Sequence, residues 1–137
     1  MTDFVLDKQL KADSAAIGRL MLCEVCLLDD SRYPWLVLVP RRRELVEIFD
    51  LTTDERALLM EEVTKAAQAL KSITECYKLN VAALGNQVRQ LHIHVIARFK
   101  NDAAWPAPVW GKGARVPYQV KAREDLIVKL RQALGFV

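Results

Sequence analysis

The sequence contains few of the side chains that most often bind metals or form disulfides: three cysteines and two histidines among 137 residues. Three cysteines are too few for the disulfide framework of a small secreted protein. Cys23 and Cys26 have the spacing of a zinc knuckle or a redox pair, but they fall in an apolar segment typical of a strand, where residues three apart face opposite sides. We therefore expect Cys23, Cys26 and Cys76 to be buried, inert thiols.

Long apolar runs and a large excess of one charge are also missing. No apolar run approaches the length of a membrane span, and the first residues lack the basic and apolar regions of a secretory signal, so we expect a cytoplasmic protein without a membrane partner. The net charge is only +3, and the basic run from Arg41 to Arg43 is too short to indicate nucleic-acid binding. We expect that run to be a solvated face.

The order of apolar and turn-forming segments predicts one α+β domain over residues 1–137. Thr52 with Glu55 three residues later is a capping box, which marks the start of a long helix. The predicted strands are 20–28, 35–39, 79–84 and 90–98, and the predicted helices are a short one within 7–20, a long one over 53–77 and a C-terminal one over 118–137. We expect a core of about residues 20–110 with a helical extension over 118–137.

Both histidines lie in one alternating segment, Gln-Leu-His-Ile-His-Val-Ile-Ala-Arg at 90–98. Strict alternation predicts a half-buried strand with Gln90, His92 and His94 on one face and apolar side chains on the other. A His-x-His pair on a strand is also typical of solvated imidazoles, of packed histidines with satisfied hydrogen bonds, or of part of a metal site. A transition-metal site would need further histidine or carboxylate ligands, and the sequence has no third histidine.

The turn before the histidines is polar. Gly85, Asn86 and Gln87 place two amides beside a glycine that lets backbone approach a ligand closely, and N–H donors of this kind can bind a phosphate. Ordinary turn chemistry explains Gly85 and Asn86 equally well.

Two other irregular segments carry candidate contacts. Asp29 ends a predicted strand, where a carboxylate can accept hydrogen bonds from both hydroxyls of a ribose, as in dinucleotide-binding folds. Asp30 is the alternative for this contact, and a plain turn-initiating role for Asp29 is equally consistent with the sequence. Trp105 and Trp110 lie in a proline-rich segment, and we expect them to pack on the domain or on a second subunit.

These segments resemble the histidine-triad (HIT) family, which carries His-φ-His-φ-His-φ-φ, where φ is apolar, after a loop reading Gly-Gln-Ser/Thr-Val-x. Here the loop reads Gly-Asn-Gln-Val-Arg at 85–89, the second and third histidines of the motif are His92 and His94, and Gln90 replaces the first. The segment Trp-Leu-Val-Leu-Val-Pro-Arg at 35–41 is similar to the family's Val-Leu-Val-Pro-Lys strand. The resemblance covers most of the chain.

The resemblance implies an antiparallel sheet of about five strands, with a long helix packed on it and a C-terminal helix, and assembly as a homodimer. It implies that His92 is a nucleophile that attacks the α-phosphorus of a nucleoside phosphoramidate or dinucleoside polyphosphate. A neutral imidazole suits this role, since its ordinary pKa is about 6.5. The resulting nucleotidyl-histidine is hydrolysed by water, and neither a metal nor another cofactor is implied.

The resemblance also implies the roles of the binding residues. His94, Asn86 and Gln87 correspond to donors that stabilise charge on the non-bridging oxygens. Asn80 corresponds to an amide that faces the phosphate site, and Asp29 to the ribose contact.

Gln90 is the departure from the family pattern. A glutamine donates and accepts hydrogen bonds but does not carry a transferable proton. If the first histidine only positions the nucleophile, Gln90 is tolerated; if it tunes protonation at the leaving group, turnover falls. Two functions therefore stay open: a HIT-type nucleotide hydrolase or nucleotidyl transferase, and a catalytically impaired nucleotide-binding sensor or interaction module.

Overall fold

The computed structural model describes residues 4–136, in which five strands form one antiparallel sheet combined with helices. The elements in chain order are α1 (Lys8–Asp13), β1 (Ser14–Arg19), β2 (Cys23–Leu28), β3 (Trp35–Pro40), a 3₁₀ helix (Ile48–Asp50), α2 (Thr53–Thr74), β4 (Lys78–Ala82), β5 (Ile93–Arg98) and α3 (Val120–Ala133). The strand order is β1-β2-β3-β5-β4, and every neighbouring pair is antiparallel. The predicted α+β class and the predicted sheet of about five strands are confirmed.

The sheet is covered on both faces, and the sequence of β3 reflects this. Leu36 and Leu38 belong to a core that the sheet shares with α2 and α3, whereas Trp35, Val37 and Val39 belong to a second core. All residues of β3 are buried. A continuous apolar run, rather than an alternating one, is what a strand covered on both faces requires.

The long helix α2 begins as predicted and ends earlier. The hydroxyl of Thr52 accepts from the N–H of Glu55, and the Glu55 carboxylate accepts from the N–H of Thr52, so the capping box is complete. The helix stops before Glu75, which adopts the left-handed conformation with φ of 53°. The N–H of Tyr77, predicted to be helical, donates instead to the carbonyl of Arg98 in β5.

The segment 7–20 contains the predicted short helix, but the second half of this segment is a strand. α1 ends at Asp13, and Ser14–Arg19 forms β1, which pairs with β2 at the edge of the sheet. Gly18, predicted near the exit of the helix, therefore lies in β1. It packs against Phe136 so closely that a Cβ would come 2.8 Å from the ring. Pairing with the adjacent strand β2 decides the conformation of 14–19, and the helical spacing of apolar residues does not indicate this pairing.

The remaining boundaries shift by a few residues. β2 begins at Cys23 rather than at residue 20, β4 covers 78–82 rather than 79–84, and α3 covers 120–133 within the predicted 118–137, of which Val137 lies outside the described residues. Gly135 has a φ of 82°, the left-handed conformation that ends many helices. The three cysteines are free thiols and buried, as predicted. Within residues 4–136, no helix combines the length and the apolar character that crossing a bilayer requires.

Candidate active site

The two histidines stand where the chain enters β5, and only His94 lies inside the strand. The strand predicted over 90–98 begins at Ile93, because the pairing of β5 with β3 and β4 extends only to Ile93 and His94, respectively. Gln90 and His92 therefore belong to the connection that leads into β5. The two faces alternate as predicted, since one core beneath the helices contains Leu91, Ile93, Val95 and Ala97. The prediction of a half-buried strand is wrong, because every residue of β5 is buried.

His92 is oriented by its own loop. Its Nδ1 lies 2.7 Å from the carbonyl oxygen of Gln90. A carbonyl only accepts, so Nδ1 carries the proton and Nε2 carries the lone pair of the neutral ring. A Cβ at Gly85 would come 2.8 Å from Cε1 of His92 and 2.7 Å from the carbonyl oxygen of Val88. Only glycine therefore lets the loop backbone lie against this ring.

Both ring nitrogens of His94 are hydrogen bonded. The indole N–H of Trp35 donates to Nδ1 over 2.9 Å, and Nε2 lies 2.8 Å from the carbonyl oxygen of Leu84. Because an indole N–H only donates and a carbonyl only accepts, His94 is the neutral Nε2–H tautomer. Burial lowers the pKa of His94 to about 4, the nearby His92 adds to this effect, and the bond to Leu84 opposes it.

Two tryptophans surround His94. The ring centroids of Trp35 and Trp110 lie 5.6 and 5.1 Å from that of His94, both in edge-on contact, and 5.7 Å from each other. The His92 ring is 4.8 Å away, also edge-on. Trp105, from the same proline-rich segment as Trp110, packs on Tyr77 with centroids 5.5 Å apart. The prediction that these tryptophans pack on the domain is confirmed.

The two histidines, Trp35 and Trp110 line a cavity of about 510 Å³, a volume within the range of small-molecule sites. Its polar part brings together four residues predicted from the sequence, His92, His94, Asn86 and Gln87, beside Gly85. Its apolar part is formed by Leu10, Leu28, Trp35, Val88 and Trp110. Asp13 supplies a carboxylate at the lining. The lining therefore combines polar groups that suit an anion with side chains that suit an apolar ring.

The two aspartates predicted near a ribose are not among the lining residues. The carboxylate of Asp29 accepts a hydrogen bond from the N–H of Tyr118 at 3.0 Å. Asp30 is buried and forms an ion pair with Arg32, with N–O distance 2.8 Å. Both carboxylates thus stabilise the segment after β2. The aspartate among the lining residues of the cavity is Asp13.

Asn80 belongs to a buried ionic network further along the sheet. Its Oδ1 accepts from Arg98, which is 1% exposed and makes two hydrogen bonds to Asp102, of 2.8 and 3.1 Å. Burial alone would raise the pKa of Asp102, but hydrogen bonds from Arg98 and from backbone N–H groups outweigh it and lower the pKa to about 2. Arg98 also donates to the carbonyl of Ala107, which ties the segment that carries Trp110 to β5.

Gln90 contacts His92 through its backbone, and its side chain is used elsewhere. Its Oε1 accepts from the N–H of Asp7 at 2.8 Å, and its Nε2 donates to the carbonyl of Val5 at 2.9 Å. Asp7 is the N-cap of α1, the helix that carries Leu10 into the cavity lining. The side chain of Gln90 therefore holds one wall of the cavity in place.

The structure also bears on two features outside this cavity, a possible metal site and the basic run at 41–43. Among residues 4–136, no three His, Cys, Asp or Glu side chains approach one another as metal ligands would. The expected solvated face is wrong for two residues of the basic run: Arg41 is half-buried and donates to the carbonyl of Leu20, and Arg42 forms an ion pair with Glu55.

Sequence reasoning did not assign three polar or aromatic lining residues to the site: Trp35, Trp110 and Asp13. Trp35 lies two residues from Val37, which pairs with His94, so strand alternation would have placed Trp35 on the face of the histidines once β3 and β5 were paired. Trp110 follows a proline-rich segment with no periodicity, and Asp13 reaches the cavity only because β1 joins the sheet. Neither has a local sequence signal.

Comparison with known proteins gives one consistent family. The profile of the HIT domain matches residues 9–101. An AP-4-A phosphorylase of Mycobacterium tuberculosis is 36% identical in an 81-residue alignment that covers 52% of this chain and 41% of that protein. The chain thus spans less than half the length of the curated relatives it matches.

Solved structures from three bacteria are similar over nearly the whole chain. A histidine triad protein from Bradyrhizobium japonicum is 47% identical with a TM-score of 0.94, covering 96% of this chain and 98% of that one. One from Sinorhizobium meliloti is 43% identical with a TM-score of 0.93, covering 96% and 97%. One from Marinobacter aquaeolei is 39% identical with a TM-score of 0.93, covering 96% of each chain.

Proposed function

The chain belongs to the HIT domain family, and from this premise we propose that it is a nucleotide-binding hydrolase or nucleotidyl transferase acting at an α-phosphate through a covalent nucleotidyl-His92 intermediate. The observation that carries the proposal is the tautomer of His92. Because Nδ1–H is held by the carbonyl of Gln90, the lone pair of the ring is on Nε2, the atom that a nucleophilic histidine needs. The relative named AP-4-A phosphorylase supports the same class of substrate.

The chemistry proceeds in two displacements. Nε2 of His92 attacks the α-phosphorus, the N–P bond forms, and the bond to the leaving group breaks with its electron pair staying on the leaving group. Water then attacks the same phosphorus, the N–P bond breaks, and neutral His92 is restored while a proton goes to solvent. In a transferase another acceptor takes the place of water. Asn86 and Gln87 donate to the non-bridging oxygens, where charge develops.

The nucleoside occupies the apolar part of the cavity in this proposal. The base packs among Leu10, Leu28 and Trp110, apolar lining residues that suit an aromatic ring. The carboxylate of Asp13 accepts hydrogen bonds from the ribose hydroxyls, the role that the sequence predicts for Asp29. Asp13 is the better candidate because it lines the cavity, whereas Asp29 is not among the lining residues.

We propose a homodimer that extends the sheet through β4. This strand lies at one edge of the sheet, and three apolar side chains near that edge are exposed: Met60, Tyr77 and Val81. An open strand edge beside apolar helix surface suits two-fold pairing of two copies. Sedimentation should give twice the chain mass of 15.6 kDa, and Val81→Glu should give monomers. A monomer at all concentrations of the unsubstituted protein would refute this assembly.

The test of function is rapid-quench labelling. The protein is mixed with diadenosine tetraphosphate labelled at the α-phosphate, and label on the protein and in adenosine monophosphate is followed with time. We expect label on the unsubstituted protein and none on His92→Asn, which is the control for attachment elsewhere. Calorimetry with adenosine monophosphate measures binding in both. Binding without label would contradict catalysis and favour the sensor that Gln90 leaves open; no binding would contradict both functions.

A further inference from the structure

We infer that this site provides no proton for the leaving group and therefore acts on phosphoanhydrides, whose phosphate leaving group departs as an anion, in preference to phosphoramidates of alkyl amines. The inference rests on the proposed function and narrows its substrate class. It follows from the hydrogen bonds that occupy each titratable side chain of the cavity, above all the bond from Trp35 to His94.

Two of the titratable side chains at the cavity are unsuited to give a proton. His92 donates its Nδ1 proton to a loop carbonyl and uses Nε2 for attack, so it has no second proton to transfer. Oδ1 of Asp13 lies 3.3 Å from Nη1 of Arg115 in an ion pair, and Oδ2 accepts from the side-chain amide of Gln9 at 2.8 Å. Its oxygens therefore act as acceptors, the state that an ionised carboxylate takes.

His94 is the third titratable side chain of the lining, and Trp35 determines its state. The lone pair of Nδ1 accepts the indole N–H, so a second proton can bind the ring only if this hydrogen bond breaks. Both side chains are 6% exposed, so water does not replace the indole easily. The burial that lowers the pKa of His94 to about 4 acts in the same direction. The one N–H of neutral His94 is bonded to the carbonyl of Leu84, so His94 has no extra proton to transfer.

Gln90, at the position of the first motif histidine, does not act as a proton donor in its place. Gln90 carries no transferable proton, and its side chain bonds to Val5 and Asp7 rather than to the histidines. In the part of the chain that the structure describes, the polar groups of the cavity lining are thus the nucleophile His92, a neutral His94 whose N–H is bonded to Leu84, two amides and the carboxylate of Asp13.

The leaving group then has to depart without a proton. When His92 attacks an anhydride, the N–P bond forms, the P–O bond breaks, and the electron pair stays on a phosphate oxygen, which is a stable anion at neutral pH. An alkyl amine leaves from phosphorus only if its nitrogen gains a proton, and a positioned general acid is worth about 10²–10⁴-fold at this step. We therefore expect a site without a general acid to react about 10²–10⁴-fold faster with phosphoanhydrides than with phosphoramidates of alkyl amines.

The first test measures His92 labelling by three α-labelled adenylates: diadenosine tetraphosphate, the 5′-phosphoramidate of a primary alkyl amine, and the 5′-(4-nitrophenyl) phosphate. The nitrophenyl ester controls for the inference because its leaving group also departs as an anion. We expect the tetraphosphate and the ester to label the protein, and the phosphoramidate to do so at least about 10²-fold more slowly. Equal rates for phosphoramidate and tetraphosphate would overturn the inference alone, whereas no label from any substrate would overturn the proposed function.

The second test examines Trp35 as a positioning residue, with Trp110→Phe as the matched control. Both indoles contact the edge of His94, but only Trp35 donates a hydrogen bond to it. Nitrogen-15 spectra should show His94 as the Nε2–H tautomer from pH 5 to 8 in the unsubstituted protein and in Trp110→Phe. In Trp35→Phe we expect mixed tautomers, titration closer to neutral pH and a smaller preference for the anhydride. Titration of His94 near pH 7 in the unsubstituted protein, or an unchanged tautomer in Trp35→Phe, would contradict the inference.

Discussion

The backbone carbonyl of Gln90 lies 2.7 Å from Nδ1 of His92, while the side chain of Gln90 bonds to Val5 and Asp7. The position that departs from the family pattern therefore orients the nucleophile through an atom that every residue type has. Its side chain has a different task, which is to hold the segment before α1. Orientation of the nucleophile and support of the cavity wall are thus separable by substitution.

Gln90→Ala should raise KM and leave kcat within about threefold. The carbonyl that orients His92 stays, whereas the segment before α1 loses its hydrogen bonds at Asp7 and Val5, each worth about 1 kcal/mol of stability. Steady-state kinetics and urea denaturation measure the two effects. Gln87→Ala, which removes an amide from the cavity lining, is the comparison and should lower kcat instead. A fall in kcat of more than about 10²-fold for Gln90→Ala would mean that its side chain takes part in the chemistry.

Gly85→Ala should lower kcat/KM by about 10²-fold, because the new Cβ would meet the His92 ring at 2.8 Å and displace the nucleophile. Gly18→Ala is a matched control, since its Cβ would meet a ring at the same distance, that of Phe136, away from the cavity. Both variants should lose stability on thermal unfolding, but only Gly85→Ala should lose activity. Equal activity of the two variants would show that the position of His92 tolerates the shift.

Asp13→Asn should abolish a preference for ribonucleotides over their 2′-deoxy forms, because a carboxylate accepts hydrogen bonds from both ribose hydroxyls. Loss of one such bond to a charged group costs about 1.5–3 kcal/mol, or about 10- to 150-fold in affinity. Titration calorimetry with adenosine and 2′-deoxyadenosine monophosphates measures it. Asp29→Asn is the control and should keep the preference; the reverse result would return the ribose contact to Asp29.

Features that depend on neighbouring residues were predictable from the sequence. The capping box of Thr52 and Glu55, the apolar stripe of α2 and the alternation around His94 are each encoded within a few residues, and each is observed. The grouping of His92, His94, Asn86 and Gln87 was predictable for the same reason, since these four lie within nine residues of sequence.

Features that depend on pairing between strands were not predicted. β1 is a strand because it pairs with the adjacent β2, and Asp13, the residue just before β1, lines the cavity. Asn80 was expected at the phosphate, but its register opposite Ile96 sets it beside the buried Arg98 instead. The bond from Trp35 to His94 joins residues 59 apart in sequence, and no local pattern contains it.

His94 should make stability fall as the pH drops from about 6.5 to 4. Its pKa is about 4 in the folded protein against an ordinary value of 6.5, so the unfolded chain binds the proton first. The stabilisation is complete above pH 6.5, decreases below it, and is lost at about pH 4. At 1.36 kcal/mol per unit of pKa, the change is about 3 kcal/mol. The buried Asp102, with its pKa near 2, acts only below about pH 4 and does not overlap this range.

Urea denaturation at intervals from pH 7 to 4.5 measures this loss, and two variants assign it to His94. His94→Gln keeps an amide in the cavity but does not titrate, so its free energy of unfolding should change less over this range. Trp35→Phe releases Nδ1, which raises the folded pKa of His94 toward its ordinary value and should also flatten the profile. A profile with the same slope in all three proteins would show that His94 takes up its proton equally well in the folded and unfolded chain, and that Trp35 does not control it.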